Sequence, residues 1–333
     1  MTERIKWIDS LKGFTIVLVV IGHTIGGYIS SHMLEVDYRA YQFIFDLIYS
    51  FHMPLAMLLS GYVFNIAYSG SKFENKKKKV IAHALDFYIL YLLSSIVMAM
   101  IKLMNAGAVN SAVSIRDLIW IPIKPIEGTG LWYLFLLAEF YVLSFPYKKI
   151  GNNIATKSII ELVVLFAISC LMTCIPTIRY FEISRIMEYG FFFMLGNKLT
   201  KTDANGKHSV CLLIVGFALS IISIATDYRN SFLGRIISIL ICVGLVMTFK
   251  CIKCDGMLGT YMMEIYILHL FIVPTLRLVL IRLLPNYLLL NIVLVSFAGI
   301  LLPVLFGIFT RKVKINSLIF SPISCFLKRR NQI

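Results

Sequence analysis

The chain has 333 residues, of which 59% are hydrophobic and only 15% are charged. Soluble domains carry about 25% charged residues, so this composition excludes an ordinary soluble protein and indicates a membrane protein. The formal net charge is +15, but no basic soluble segment exists that would bind a nucleic acid. The positive charge falls instead in short loops between apolar segments. The sequence therefore predicts a lipid bilayer as the surroundings and no nucleic-acid partner.

Ten apolar segments in chain order predict an all-α fold, a polytopic membrane helix bundle that forms a single domain over residues 1–333. A helix of about 20 apolar residues crosses the hydrocarbon core of a bilayer. The sixth segment is short and holds Glu188 and Asn197, so we expect it to cross inside the bundle. We expect no cleavable signal and no appended soluble domain. The predicted spans are approximately 11–29, 43–66, 82–104, 131–147, 158–177, 186–199, 209–226, 235–253, 258–281 and 287–310.

The lysines and arginines predict the orientation of the bundle. With the N-terminus inside, most of the 32 Lys and Arg residues fall in loops on that same side. Cytoplasmic loops carry such an excess, so both termini are predicted to be cytoplasmic. The basic tail, which includes Lys328-Arg-Arg330, is expected to lie on the inner leaflet.

Asp9, Lys12 and His23 form one stripe along the first predicted span. A helical residue turns the chain by about 100° and raises it by about 1.5 Å. His23 therefore lies about 20° around the helix from Lys12 and about 16 Å above it, with Asp9 within about 40° of His23. One helix face thus combines a charge pair at the membrane surface with an imidazole near the middle of the bilayer. Asp9 and Lys12 also have the spacing of a simple ion pair at a helix start.

Four titratable side chains from four spans are predicted to lie in one layer of the membrane. His23 and His269 lie about 18 Å and about 16 Å from the inner face, counted along their helices. His52 and Glu139 lie about 13 Å and about 12 Å from the outer face of a core about 30 Å thick. Each buried group has a second interpretation as a structural partner of a neighbouring helix. No two of them have the spacing of a metal-binding helix pair, so no metal site is predicted.

Two further stretches carry open interpretations. Pro54 removes a helix hydrogen bond and frees the carbonyl of residue 50, while Ser60 and Gly61 allow a neighbouring helix or a ligand to approach closely. This stretch is either a kinked, tightly packed helix or a part of the substrate site. A lysine run before the third span is either a solvated or lipid-facing charge cluster or an attractor for a phosphate-bearing cytoplasmic ligand. The run comprises Lys76, Lys77, Lys78 and Lys79.

Four motifs in chain order resemble the acyltransferase-3 family of integral membrane acyltransferases. Lys12, ten residues and then His23 resemble the Arg/Lys-x10-His signature of that family, and the resemblance extends over essentially the whole chain. The stretch Trp7-Ile-Asp-Ser-Leu-Lys-Gly13 resembles the fucose 4-O-acetylase-like subgroup among polysaccharide-modifying enzymes. The lysine run stands where the family often has Arg-x-x-Arg. The other motifs are Phe51-His-Met-Pro54 with Ser60-Gly-Tyr62, Leu131-Trp-Tyr-Leu134 and Tyr266-Ile-Leu-His269.

The resemblance implies an enzyme of the cytoplasmic (inner) membrane of a bacterial-type cell. It would transfer an acyl group, usually acetyl, from cytoplasmic acetyl-CoA to a hydroxyl of a cell-surface glycan or its lipid-linked precursor. Acetyl-CoA is then a co-substrate, and no tightly bound cofactor is expected. A sugar hydroxyl needs a base to attack a thioester, so His23 is predicted to be the general base or a transient acyl carrier. His52 or Glu139 is predicted to orient His23 or the acceptor.

The remaining predicted site residues fall into two groups. Asp9, Lys12 and the lysine run are expected to bind the anionic acyl donor on the cytoplasmic side. A second group is expected either to bind the acceptor or to have a structural role: Pro54, Ser60, Trp132, Tyr266 and His269.

An alternative function is a transporter or flippase of a lipid-linked sugar or acyl donor. Such a protein also needs polar residues in the middle of the membrane. It would favour inverted repeats with paired broken helices, and the two halves of this sequence do not match each other. Polysaccharide polymerases usually carry their chemistry in a large outer loop, and the longest predicted outer loop spans only residues 105–130.

Overall fold

The computed structural model describes residues 5–31, 37–68, 73–104, 113–126, 128–150, 155–172, 174–226, 232–252, 254 and 256–330. Over these ranges the chain is helical and contains no β-strand, which confirms the all-α prediction. The side chains of the basic tail at residues 328–330 lie outside the described part, so their placement on the inner leaflet stays a prediction.

The helices have the following bounds in chain order. They are α1 Lys6–Ser31, α2 Arg39–Tyr49, α3 His52–Tyr68, α4 Phe73–Met104, α5 Ile115–Trp120, α6 Trp132–Ile150, α7 Ala155–Leu171, α8 Ile183–Leu199, α9 Gly206–Ala225, α10 Phe232–Cys251, α11 Met262–Leu283, α12 Leu288–Lys312, α13 Asn316–Phe320 and α14 Pro322–Arg330. Two short 3-10 turns, Tyr180–Glu182 and Leu258–Tyr261, lead directly into α8 and α11.

Each of the ten predicted spans overlaps described helices, although the fifth, 158–177, extends past the end of α7 at Leu171. Seven described segments are long and apolar enough to cross a membrane. Two more apolar helices, Trp132–Ser144 and Ile159–Leu171, are shorter than that. The sixth predicted span corresponds to α8, which has 17 residues. The total of ten crossings and the cytoplasmic position of both termini therefore remain predictions. The seven long segments are Lys6–Ser31, Arg39–Tyr68, Lys76–Met104, Gly206–Ala225, Phe232–Cys251, Leu258–Leu283 and Leu288–Lys312.

The chain divides into two compact units, of which the first comprises Met1–Leu59 and Lys201–Ile308. In this unit α1 packs against α2, α10 and α11, and α9 packs against α10. Three contacts show that α1 and α11 run parallel: Gly13 meets Leu258 of the turn before α11, His23 meets His269, and Gly27 meets Arg277. The apolar face of α1 is fully buried at Leu11, Ile16 and Val20.

The second predicted span is divided into α2 and α3, which meet at Ser50 and Phe51. Pro54 lies in the first turn of α3 and has no N–H group to donate to the carbonyl of Ser50. The hydroxyl of Ser238 on α10 donates to that carbonyl instead, and the Cys242 thiol lies 3.6 Å from the carbonyl oxygen of Phe51. The sequence predicts that Pro54 frees the Ser50 carbonyl, and in the structure this carbonyl has a hydrogen-bond partner on the neighbouring helix α10.

The second unit comprises Ser60–Thr200 and Phe309–Ile333. Here α4 packs against α6 and α14, and α8 packs against α6 and α7. Gly61 allows α3 and α8 to meet, because a Cβ atom on Gly61 would stand 1.8 Å from the carbonyl oxygen of Phe193. The Asp86 carboxylate on α4 accepts hydrogen bonds from the backbone N–H groups of Ile323 (2.8 Å) and Ser324 at the start of α14. This acidic cap holds the C-terminal helix against α4.

Candidate active site

A pair of imidazole rings lies where α1 and α11 pack together in the first unit. The ring centroids of His23 and His269 are 5.3 Å apart, and the two ring planes are tilted by 53°. His269 is fully buried with 0% exposure, whereas His23 is half-buried. The two helices bring together residues near opposite ends of the chain, so packing rather than sequence proximity creates this pair.

A backbone hydrogen bond fixes which ring nitrogen carries the proton when His269 is neutral. Its Nδ1 atom lies 2.8 Å from the carbonyl oxygen of Ile265, one helical turn earlier. A carbonyl oxygen only accepts, so Nδ1 must carry the proton, and the lone pair of the neutral ring resides on Nε2. This Nε2 atom is buried and has no hydrogen-bond partner among the described residues. In its neutral form, His269 therefore has an unused basic nitrogen on a ring that contacts His23.

His52 belongs to the same group of side chains. Its Nδ1 atom lies 2.9 Å from the carbonyl oxygen of Ile48, which fixes the same tautomer as in His269. The Tyr49 ring meets the His52 ring edge-on, with centroids 4.5 Å apart. His23 is close enough to interact electrostatically with both other histidines. The structure thus brings together the three predicted histidines His23, His52 and His269.

Glu139 lies on α6 in the second unit. It is half-buried, and its Oε2 atom has no hydrogen-bond partner in the part of the chain that the structure describes. Its close acidic neighbour is Glu182, which also belongs to this unit. The predicted role of Glu139 beside the histidines therefore stays a prediction.

The predicted donor-binding residues lie in both units. In the first unit, Lys12 Nζ is 3.5 Å from Asp9 Oδ1, which confirms the ion pair expected from their spacing. Asp9 is buried, and Lys12 is half-buried. In the second unit the lysine run begins α4, where Lys76 is half-buried and residues 77–79 are exposed. Both stretches thus present positive charge near the start of a helix.

The predicted acceptor group also divides between the units. Tyr266 lies 6.1 Å from His269, ring centroid to centroid, in the first unit. In the second unit the Ser60 hydroxyl lies 2.8 Å from the Tyr133 hydroxyl. Trp132 stacks on Tyr189 at 5.7 Å, and the Arg185 guanidinium lies 4.3 Å from the Trp132 ring centroid. The ring of Trp132 is thus engaged within the protein, which favours the structural interpretation of this residue.

Sequence reasoning overlooked Arg277, an arginine inside the ninth predicted span. The signal was present, because a charged residue within a membrane span is rare and usually functional. Among the described residues, no three His, Cys, Asp or Glu side chains form a group that would hold a metal ion. The prediction of a metal-free site remains a prediction.

The described residues thus form a membrane helix bundle whose interior holds an imidazole nitrogen without a hydrogen-bond partner. A family model described as an acyltransferase domain, Acyl_transf_3, matches residues 5–310. The chain therefore belongs to the acyltransferase-3 family. No curated protein and no solved structure matches the chain.

Proposed function

We propose that this protein is a membrane O-acetyltransferase of the fucose 4-O-acetylase-like type. It moves an acetyl group from cytoplasmic acetyl-CoA to a hydroxyl of a cell-surface glycan or of its lipid-linked precursor. Family membership supports acyl transfer. The observation that carries the proposal is the contact of His23 with His269, whose Nε2 atom is buried and unpaired.

The histidine pair supplies the base that the reaction needs. The acceptor oxygen attacks the thioester carbonyl, and an imidazole takes the hydroxyl proton as the new C–O bond forms. The C–S bond then breaks, and the CoA sulfur leaves as a thiolate that receives the proton. We assign the proton transfer to His23 and a positioning role to His269, whose ring is fixed by its bond to Ile265. In a second form of the mechanism, His23 first accepts the acetyl group from the thioester and then passes it to the acceptor hydroxyl.

The charges at the start of α1 support a donor site at that end. Coenzyme A carries several phosphate groups, and ammonium groups attract them. Lys12 lies eleven residues before His23, which places the histidine about 16 Å further along the helix. An extended pantetheine arm spans such a distance. In the second unit, the lysine run at the start of α4 carries further positive charge, and its part in donor binding stays a prediction.

The proposal is tested in liposomes that contain the purified protein, native glycan acceptor and acetyl-CoA with a labelled acetyl group. We expect label on the glycan and one released thiol for each acetyl group transferred. His23→Ala should lower the rate by at least about 100-fold, the usual contribution of a general base or acid. His208→Ala is the matched control, because His208 is exposed on α9. Acetyl transfer by His23→Ala at the wild-type rate would contradict the assignment of His23 as the general base.

The same assay separates the enzyme from a flippase of a lipid-linked sugar or acyl donor. A flippase would move the lipid across the liposome membrane without releasing thiol or labelling the glycan. NMR spectra of the surface glycan from a deletion strain and its complement then identify the acetylated sugar and hydroxyl. Acetylation at fucose O-4 or on a closely related sugar supports the subgroup, and loss of a different modification contradicts it.

A further inference from the structure

Arg277 is a buried cation near the C-terminal end of α11. Its exposure is 6%, and six residues separate it from the last residue of the helix, a rise of about 9 Å. Its Nε atom has no hydrogen-bond partner, and no carboxylate within the described ranges forms an ion pair with it. An unpaired charge inside a membrane protein is costly, so its presence calls for a ligand or a function.

The guanidinium group lies directly on the backbone of α1. A Cβ atom on Gly27 would stand 2.0 Å from Arg277 Nη1, so a larger residue at this position would displace the guanidinium. Gly27 is four residues after His23 and therefore lies on the same face, one helical turn further along. Arg277 thus occupies the same line between α1 and α11 as the histidine pair.

Two buried polar atoms at this contact, His269 Nε2 and Arg277 Nε, have no hydrogen-bond partner among the described residues. The hydroxyl oxygen of Tyr28, which packs with Leu288 and Ile292 of α12, is a third such atom and interacts electrostatically with Arg277. Buried polar groups in native proteins are nearly always paired. The unpaired groups therefore indicate a polar ligand that binds at Arg277.

An open cavity beside Tyr28 is lined by both polar and apolar side chains, including Leu288, which packs with Tyr28. Its volume is 480 Å³, within the usual range for small-molecule sites, and its polar lining is Asp37, Tyr41, Asn286 and Tyr287. Tyr41 packs in the same hydrophobic cluster as Tyr28. Aromatic rings with amide and carboxylate groups bind the faces and hydroxyls of sugars. The Asp37 carboxylate is already neutralised by Arg39, with Nη2 and Oδ2 2.7 Å apart.

We propose that Arg277 binds an anionic group of the acceptor, a carboxylate or a phosphate, and that the attached sugar occupies the cavity at Tyr41 and Tyr287. This inference rests on the proposed acetyltransferase function. The guanidinium fork pairs with either anion through two parallel hydrogen bonds. The acyl donor is assigned to the opposite end of α1, at Lys12. One turn of helix, about 6 Å, separates Gly27 from His23, so an anchored sugar presents a hydroxyl to the histidine pair.

The test measures binding to the full-length protein in lipid nanodiscs by calorimetry. Methyl β-D-glucuronide is compared with methyl β-D-glucoside, and farnesyl diphosphate is compared with farnesol. Tighter binding of the glucuronide identifies a charged sugar as the source of the anion, and tighter binding of the diphosphate identifies a lipid-linked precursor. We expect one charged probe to bind at least about 10-fold more tightly than its neutral counterpart, as a charge-assisted pair provides.

Three variants and a control assign that preference to Arg277. Arg277→Gln should abolish it, Arg277→Lys should retain part of it, and Gly27→Ala should weaken it by displacing the guanidinium while keeping the charge. Arg282→Gln, an exposed arginine on the same helix, should leave it unchanged. A variant that still elutes as the wild-type particle counts as folded. Equal binding of charged and neutral probes by the wild type, or full preference in a folded Arg277→Gln or Gly27→Ala variant, overturns the assignment.

Failure of this inference is distinct from failure of the proposed function. Acetyl transfer without any preference for an anionic probe removes the Arg277 site and leaves the acetyltransferase intact. If anion binding depends on Arg277 but the protein never releases thiol from acetyl-CoA, the Arg277 site is supported and the proposed acetyltransferase activity is contradicted.

Discussion

The backbone carbonyl of Asp9 lies directly against Gly259, so that a Cβ atom on Gly259 would stand 1.8 Å from the carbonyl oxygen. Gly256 also lies against this residue, since a Cβ atom on Gly256 would stand 2.5 Å from the Cβ atom of Asp9. The charged start of α1 is therefore fixed against the segment that leads into α11. Small residues at helix contacts in membranes allow this close backbone approach.

Gly259→Ala should destabilise the protein because the new methyl group has no room beside Asp9. Overpacking of this kind costs about 1–3 kcal/mol. The melting temperature of the detergent-solubilised protein should fall, and the Gly206→Ala control should not lower it to the same extent, because the nearest atom there is 3.8 Å away. Equal melting temperatures for the two variants would contradict the close contact.

Ser238→Ala should leave the carbonyl of Ser50 without its partner. Ser238 is 4% exposed, and leaving a buried acceptor unpaired costs about 1–3 kcal/mol. We expect a lower melting temperature together with slower acetyl transfer, because Ser50 lies two residues before His52, the first residue of α3. Thr226→Ala removes an exposed hydroxyl and serves as the control. If both variants melt alike, the hydrogen bond contributes nothing measurable.

Lys12→Ala should raise the KM for acetyl-CoA by about 10-fold with little change in kcat, as expected for loss of one charge-assisted contact. The physical reason is the loss of an ammonium group at the proposed donor end of α1. Initial rates at varied acetyl-CoA concentration provide the measurement. Lys207→Ala changes an exposed lysine of α9 and should keep the wild-type KM. An unchanged KM in Lys12→Ala would limit Lys12 to its ion pair with Asp9.

Glu182→Gln should change how stability depends on pH. Burial raises the pKa of Glu182 above its usual value, against the opposing effect of the nearby Arg185. A raised folded-state pKa means that the folded protein binds the proton more tightly than the unfolded chain. The resulting stabilisation is complete below the unfolded pKa and is lost as the pH rises through the folded value. Melting temperatures should therefore decline more steeply above about pH 4.5 in the wild type than in Glu182→Gln. Parallel curves for the two proteins would contradict the shift.

The helical architecture follows from local sequence, because span length and apolar composition act within each segment. Helix partners do not follow in the same way. Lipid tails are as apolar as leucine, so hydrophobicity does not decide which helices meet, and small and polar residues do. The contact between α1 and α11 depends on Gly13, Gly27 and Gly259, whose importance appears only when the two helices are side by side.

The candidate site likewise combines features that local sequence predicts with features that depend on helix packing. Because helical rise is constant, depth along each helix predicts one layer for His23, His52, Glu139 and His269. In the structure the three histidines lie in the first unit and Glu139 lies in the second, so the shared layer stays a prediction. Rotation and contact between helices were beyond that reasoning, so the sequence did not single out His269 as the ring beside His23. Arg277 is another such case, since its burial against Gly27 arises only from the packing of two distant segments.

The parallel contact of α1 with α11 also sets the order in which activity can arise during biosynthesis. His23 leaves the ribosome first, whereas His269 and Arg277 follow only after most of the chain has been inserted. A nascent chain that stops before α11 therefore has Lys12 and His23 but neither the second imidazole nor the guanidinium. Under the proposed function, we expect such a truncated translation product to leave acetyl-CoA intact, because the histidine pair is complete only after α11 has been inserted.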